Sequence, residues 1–116
     1  MATIVLGPFT QYEKPPDLVV TLEDSSGTAL DITGYDVQAS WSFRGSDTIT
    51  TFTCSLTTDG SDGQISVPWG TQATSPFDTA GTVEMEVWAG DSTTRYASEK
   101  IRFRVRRAVV TTEPTI

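Results

Sequence analysis

Hydrophobic and polar positions alternate with a period of two through most of this chain. Val37, Ala39, Trp41 and Phe43 alternate with Gln38, Ser40 and Ser42, the pattern of a strand with one buried face. In residues 49–56, Phe52, Cys54 and Leu56 oppose a ladder of Thr51, Thr53 and Ser55, and Ile65, Val67 and Trp69 share one face of residues 64–69. In residues 81–88, Val83, Met85 and Val87 oppose Thr82, Glu84, Glu86 and Trp88, and in the last strand Ile101, Phe103 and Val105 oppose Lys100, Arg102, Arg104 and Arg106. Residues 18–23, LVVTLE, form a β-branched run closed by the turn chemistry of Asp24, Ser25, Ser26 and Gly27. No window spaces apolar residues as a helix of ten or more positions requires, so no long helix is expected.

Turn residues separate these runs at intervals of roughly ten positions, which predicts an all-β chain: an antiparallel immunoglobulin-like β-sandwich of about seven strands, with a small barrel as the alternative. Residues 1–17 carry Pro8, Pro15 and Pro16 and read as an N-terminal arm with room for one short edge strand. Residues 18–107 form the domain. Residues 70–80 are a polar loop where the chain crosses between sheets, and residues 108–116 are an extended tail ordered by a partner. One cysteine cannot form the inter-sheet disulfide, so packing around Trp41 is expected to hold the sheets together.

Composition narrows the function. With 116 residues, 37% of them hydrophobic, the chain supports one core. Histidine is absent, which removes the usual triad base, zinc nitrogen ligand and near-neutral switch. No nucleophile elbow, phosphate loop or metal constellation appears, so neither catalysis nor a cofactor is expected. A net charge of −7 argues against nucleic acid, and no apolar run is long enough for a membrane span or secretion signal. Asp59-Gly60-Ser61-Asp62-Gly63 resembles part of a calcium loop but lacks its bidentate acid, and reads as a turn. Glu84 and Glu86, two apart on one strand, share an exposed face with no cleft to make them a catalytic pair.

The charge is uneven. Five of the eight basic residues lie between Lys100 and Arg107, so residues 1–99 carry −11 and residues 100–116 carry +4. One account is a cross-strand ladder, with Glu86 facing Lys100 or Arg102 and Glu84 facing Arg102 or Arg104. The other is docking of Lys100, Arg102, Arg104 and Arg106 on an acidic neighbour, a second copy included. Trp88 falls on the polar face and needs cover from a partner, from a sugar, or from the N-terminal arm. Pro8 and Phe9 in that arm complete the candidate interface.

Three stretches together carry a resemblance: LDITGYDV at residues 30–37, DGQISV at residues 62–67 and AGTVEMEV at residues 80–87. Their order resembles the immunoglobulin-like domain at the N-terminus of phage baseplate upper proteins, and the small minor tail proteins of long-tailed bacteriophages built from that domain alone. The resemblance covers roughly residues 17–106. It implies positive φ at Gly34 and Gly63, a capping role for Tyr35, and no catalytic residue. It also implies a structural protein of the virion, made in the host cytoplasm and joined to other virion proteins and further copies of itself. Val83 stands where an aromatic is common and no receptor-binding extension follows, so tail, baseplate, neck and capsid-decoration positions all stay open. A carbohydrate-binding module stacking sugars on Trp88 with Tyr12 or Tyr96 is the alternative of another class; an adhesion domain is a weaker third.

Overall fold

Each alternating run becomes a strand because its apolar row can be buried only against a facing layer. The computed structural model describes residues 3–110 and 112–116, and among these the strands in chain order are β1 (Thr3–Thr10), β2 (Leu18–Thr21), β3 (Asp36–Phe43), β4 (Thr50–Thr53), β5 (Ser55–Leu56), β6 (Gln64–Val67), β7 (Gly81–Gly90), β8 (Arg95–Ala97) and β9 (Lys100–Arg106). They form two sheets, one ordered β1-β9-β7-β3-β4 with β8 added on β7, the other ordered β2-β6-β5. The fold is a β-sandwich. Its pairings are antiparallel except for β1, which runs parallel to β9.

The short edge strand expected in the N-terminal arm is present, but it is eight residues long and runs parallel to β9 rather than antiparallel. Residues 3–10 are hydrogen-bonded into the larger sheet, from Thr3 opposite Lys100 to Thr10 opposite Arg106. The register shifts between Leu6 and Phe9, where Gly7 takes φ 77° and Pro8 has no N–H to offer. An edge strand tolerates both, because its outer side needs no ladder partner.

Two further departures arise because alternation is blind to which sheet a strand joins. Residues 49–56 read as one strand, yet β4 pairs with β3 in one sheet and β5 pairs with β6 in the other. Cys54 sits at the crossing, buried, its N–H donating to the Val37 carbonyl at 3.0 Å. Between β8 and β9 the chain takes four steps from Ala97 to Ile101 while β7 takes three from Trp88 to Met85, a bulge of one residue. Buried Ser98 carries the ladder through it: its N–H donates to the Val87 carbonyl at 2.8 Å, and its Oγ accepts the Val87 N–H at 2.9 Å.

The core between the sheets centres on aromatic rings. Phe9, Trp69, Phe77 and Phe103 lie with centroids 5.1–5.5 Å apart, mostly edge to face. Trp41 is buried too, edge to face with Phe43, but it lies outside this group of four, and among the described residues its indole N–H meets no acceptor. Phe77 comes from the segment read as a polar loop. A turn closes around it: Ser75 N–H donates to the Asp78 carboxylate at 3.0 Å, and the Phe77 N–H donates to Ser75 Oγ at 3.1 Å. Trp69 is fully packed and its indole donates to the Pro16 carbonyl at 2.8 Å, so residues 14–16 strap this end of the sandwich.

At the other end, aspartates build the turns. Asp24, Asp31, Asp59 and Asp91 each accept backbone N–H groups two to four residues ahead. Gly63 has φ 69° and a Cβ there would stand 2.7 Å from the Leu22 carbonyl oxygen, so only glycine fits where this loop crosses the first hairpin. Gly34 likewise has positive φ, at 78°.

Candidate interaction face

The outward face of the larger sheet gathers the charged and aromatic residues singled out in the sequence. β7 contributes Glu84, Glu86 and Trp88, β9 contributes Lys100, Arg102, Arg104 and Arg106, and β3 contributes Asp36, Gln38 and Ser40. Register decides which of them meet. Glu84 lies directly opposite Arg102, whose Nη2 and Nε donate to its Oε2 at 2.8 and 3.3 Å. This hydrogen bond, helped by the charges of Lys100, Arg102 and Arg44, holds the Glu84 carboxyl below its ordinary value. The expected ladder is therefore one rung. Arg104 stands opposite Thr82, and one step beyond Met85–Ile101 the register sets Glu86 by Lys100, so of the other expected pairings Glu84–Arg104 and Glu86–Arg102 do not form. Glu86 and Lys100 line the same hollow, with no ion pair between them among the described residues.

Lys100, Arg104 and Arg106 remain exposed; the nearest tie is a 3.5 Å hydrogen bond from Arg106 to Thr10 Oγ1. Arg44 joins them, because it follows Phe43 by one residue and bonds through its N–H to the Thr82 carbonyl. Alternation predicts that placement: with Phe43 inward, Arg44 points out. The result is a basic stripe along β9 with a single neutralised arginine.

Trp88 is 37% exposed, while Trp41 and Trp69 are buried. It opens onto a shallow concavity of about 670 Å³ lined by Asp36, Gln38, Ser40, Asp91 and Arg95 among others. The N-terminal strand does not cover it, since β1 lies beyond β9 on the far side of β7. Nor does a second ring stand beside it. Tyr96 pairs with Ala89 on the opposite face and stacks on Tyr35 with centroids 6.2 Å apart, and Tyr12 is tied to Phe77 at the other end of the sandwich. Phe9 is also displaced from the expected interface: its ring packs into the protein's own aromatic cluster, because β1 turns that face inward over Phe103. Pro8 stays exposed at the sheet edge.

The remaining candidates are structural in their contacts. Asp59 accepts the Ser61 N–H and hydroxyl, and Asp62 accepts the Gln64 N–H, so both carboxylates of the Asp-Gly segment serve turns. Among the described residues no group of three or more His, Cys, Asp or Glu is placed to hold a metal ion. Burial, with the Asp17 charge nearby, pushes the Cys54 thiol up to about 12. Comparisons of the chain with protein-family models, curated proteins and solved structures find no match.

Proposed function

We propose that this chain is a non-enzymatic structural protein of a bacteriophage virion, an immunoglobulin-like module that joins other virion proteins and further copies of itself. The observation that carries this reading is what the resemblance-bearing residues do. Ile32 and Ile65 fill the core, Gly34 and Gly63 make the turns, Tyr35 caps the sandwich against Tyr96, and Val83 to Val87 form the central strand. The division of strands into β9-β7-β3-β4 and β2-β6-β5 supports it, since variable-type immunoglobulin sandwiches divide theirs the same way. The basic stripe on an otherwise acidic chain supplies a docking polarity. A minor tail, baseplate or neck position is the first reading and capsid decoration the second.

Quantitative mass spectrometry of purified particles from cells carrying the coding sequence tests this. The chain should be present at a copy number that matches tail or capsid symmetry, and gold labelling should place it on one part of the particle. Absence from particles refutes the proposal. The carbohydrate reading keeps one favouring observation, the polar groups of Asp36, Gln38 and Arg95 around Trp88. Glycan retention lost in Trp88→Ala would support it, and no retention by the unmodified protein would end it.

A further inference from the structure

β1 is the outer strand of the larger sheet, so among the described residues one side of its backbone has no strand beside it. Such an edge is a template for another extended chain. Proteins usually blunt it with charge, yet TIVLGPFT contains none, and Ile4 and Val5 are 40% and 71% exposed. Only the irregularity at Gly7 and Pro8 interrupts it, leaving Thr3 to Leu6 open. The edge strands β2 and β4 have four residues and β5 has two, so β1 is the longest edge among the described strands.

The segment after β9 has the complementary property. Residues 109–116 read VVTTEPTI, six of eight β-branched, which is strand chemistry. Its described residues nevertheless form no strand, and Val109 and Ile116 are fully exposed. Its own β1 edge lies out of its path. Because β1 and β9 are parallel, both leave the sheet at the same end, and the segment then follows residues 11–14: Ala108 N–H donates to Gln11 Oε1 at 3.3 Å and Glu113 pairs with Lys14 at 3.3 Å. That ion pair is exposed on both sides and contributes little, so the segment is easily redirected.

We infer that residues 109–116 of one copy add as a strand to the Thr3–Leu6 edge of β1 in a second copy, an inference that rests on the assembly reading above. Reach is sufficient, since eight extended residues span about 26 Å and the four-residue edge about 13 Å. Parity and charge agree. Placing Val110 and Ile116 on the inner face beside Ile4 puts Glu113 on the outer face, the side that carries Val5, Lys100 and Arg102. Donor and acceptor are different surfaces, so reciprocal exchange closes a dimer and one-way exchange builds a ring or row.

The test compares the full chain with a chain ending at Arg107, which keeps every strand and core residue. Light scattering after size exclusion should give a mass above one chain for the first and a monomer for the second. A labelled peptide of residues 108–116 should bind the shortened chain saturably, and at least tenfold more weakly after Val5→Glu, which sets a carboxylate against Glu113 at an exposed position and leaves the urea midpoint in place. A monomeric full chain, a mass unchanged by truncation, an unbound peptide, or equal binding to Val5→Glu each overturns the inference. Strand exchange in solution by a chain absent from particles would remove the virion reading alone; a particle-bound chain whose peptide does not bind would remove this inference alone.

Discussion

Phe77→Ala separates the aromatic core from the loop that supplies it. The Phe77 side chain is wholly inaccessible and touches three rings: Phe9 and Trp69 edge to face at 5.1 and 5.2 Å, and Phe103 stacked at 5.3 Å. Removing a buried phenylalanine costs about 3–5 kcal/mol from lost transfer and the cavity left behind. A residue merely lying on a loop would change stability by no more than ~0.5 kcal/mol. The backbone contribution is untouched, because the Phe77 carbonyl still accepts the Tyr12 N–H. Urea unfolding followed by tryptophan fluorescence is the assay, and with slopes near 2 kcal/mol per molar the midpoint should fall by about 2 M. Phe9→Ala in the same background should couple to it by about 0.5–1.5 kcal/mol, reporting that β1 packs on this loop. A loss below about 1 kcal/mol, or strict additivity with Phe9→Ala, would refute the account.

Exchanging the charges of Glu84 and Arg102 should restore what each single reversal loses, ~0.2–1 kcal/mol in a thermal or urea midpoint, whereas Glu86 and Arg102 should show no coupling. Hydrogen bonds from Ser26, Thr33, Ser61 and the Thr93–Thr94 amides hold Asp24, Asp31, Asp59 and Asp91 below their ordinary values, as Arg102 does for Glu84. The unfolded chain then binds more protons than the folded one, so this stability is present above the unfolded value near pH 4 and is lost as pH falls through the lower folded values. Thermal melts from pH 7 to pH 2 should show that fall, steepened in none of the single turn variants Asp24→Asn, Asp59→Asn or Asp91→Asn. The Cys54 thiol, buried and raised to about 12, should react with a disulfide reagent only at the rate of opening, and fast reaction in native buffer would contradict its placement.

Much of the candidate face was legible in the chain. Period-two alternation assigns Trp88, Glu84 and the β9 arginines to one side of the sheet and Val83, Met85, Ile101 and Phe103 to the other, because strand geometry reverses every residue. Register was not legible. Whether Arg102 meets Glu84 or Glu86 depends on the extra residue at Ser98, and nothing local announces a bulge held by a buried hydroxyl. Phe9 and Phe77 fall in arm and loop by sequence because neither sits in an alternating run; their burial follows from the parallel placement of β1 and the Ser75–Asp78 turn.

Local chemistry therefore settled most of the strands, though not β8, most turn positions and the two faces of the long strands, since those depend on side-chain polarity, branching and the φ freedom of residues such as Gly34 and Gly63. Only the tertiary structure decided which sheet residues 49–56 belong to at each end, that the first strand runs parallel to the last, and which edge stays open. Those outcomes turn on contacts between residues far apart in sequence: Ile4 lies beside Ile101, and Phe9 reaches Phe103. The free energy of such pairings depends on what the rest of the chain has already buried, and no window of neighbouring residues contains it.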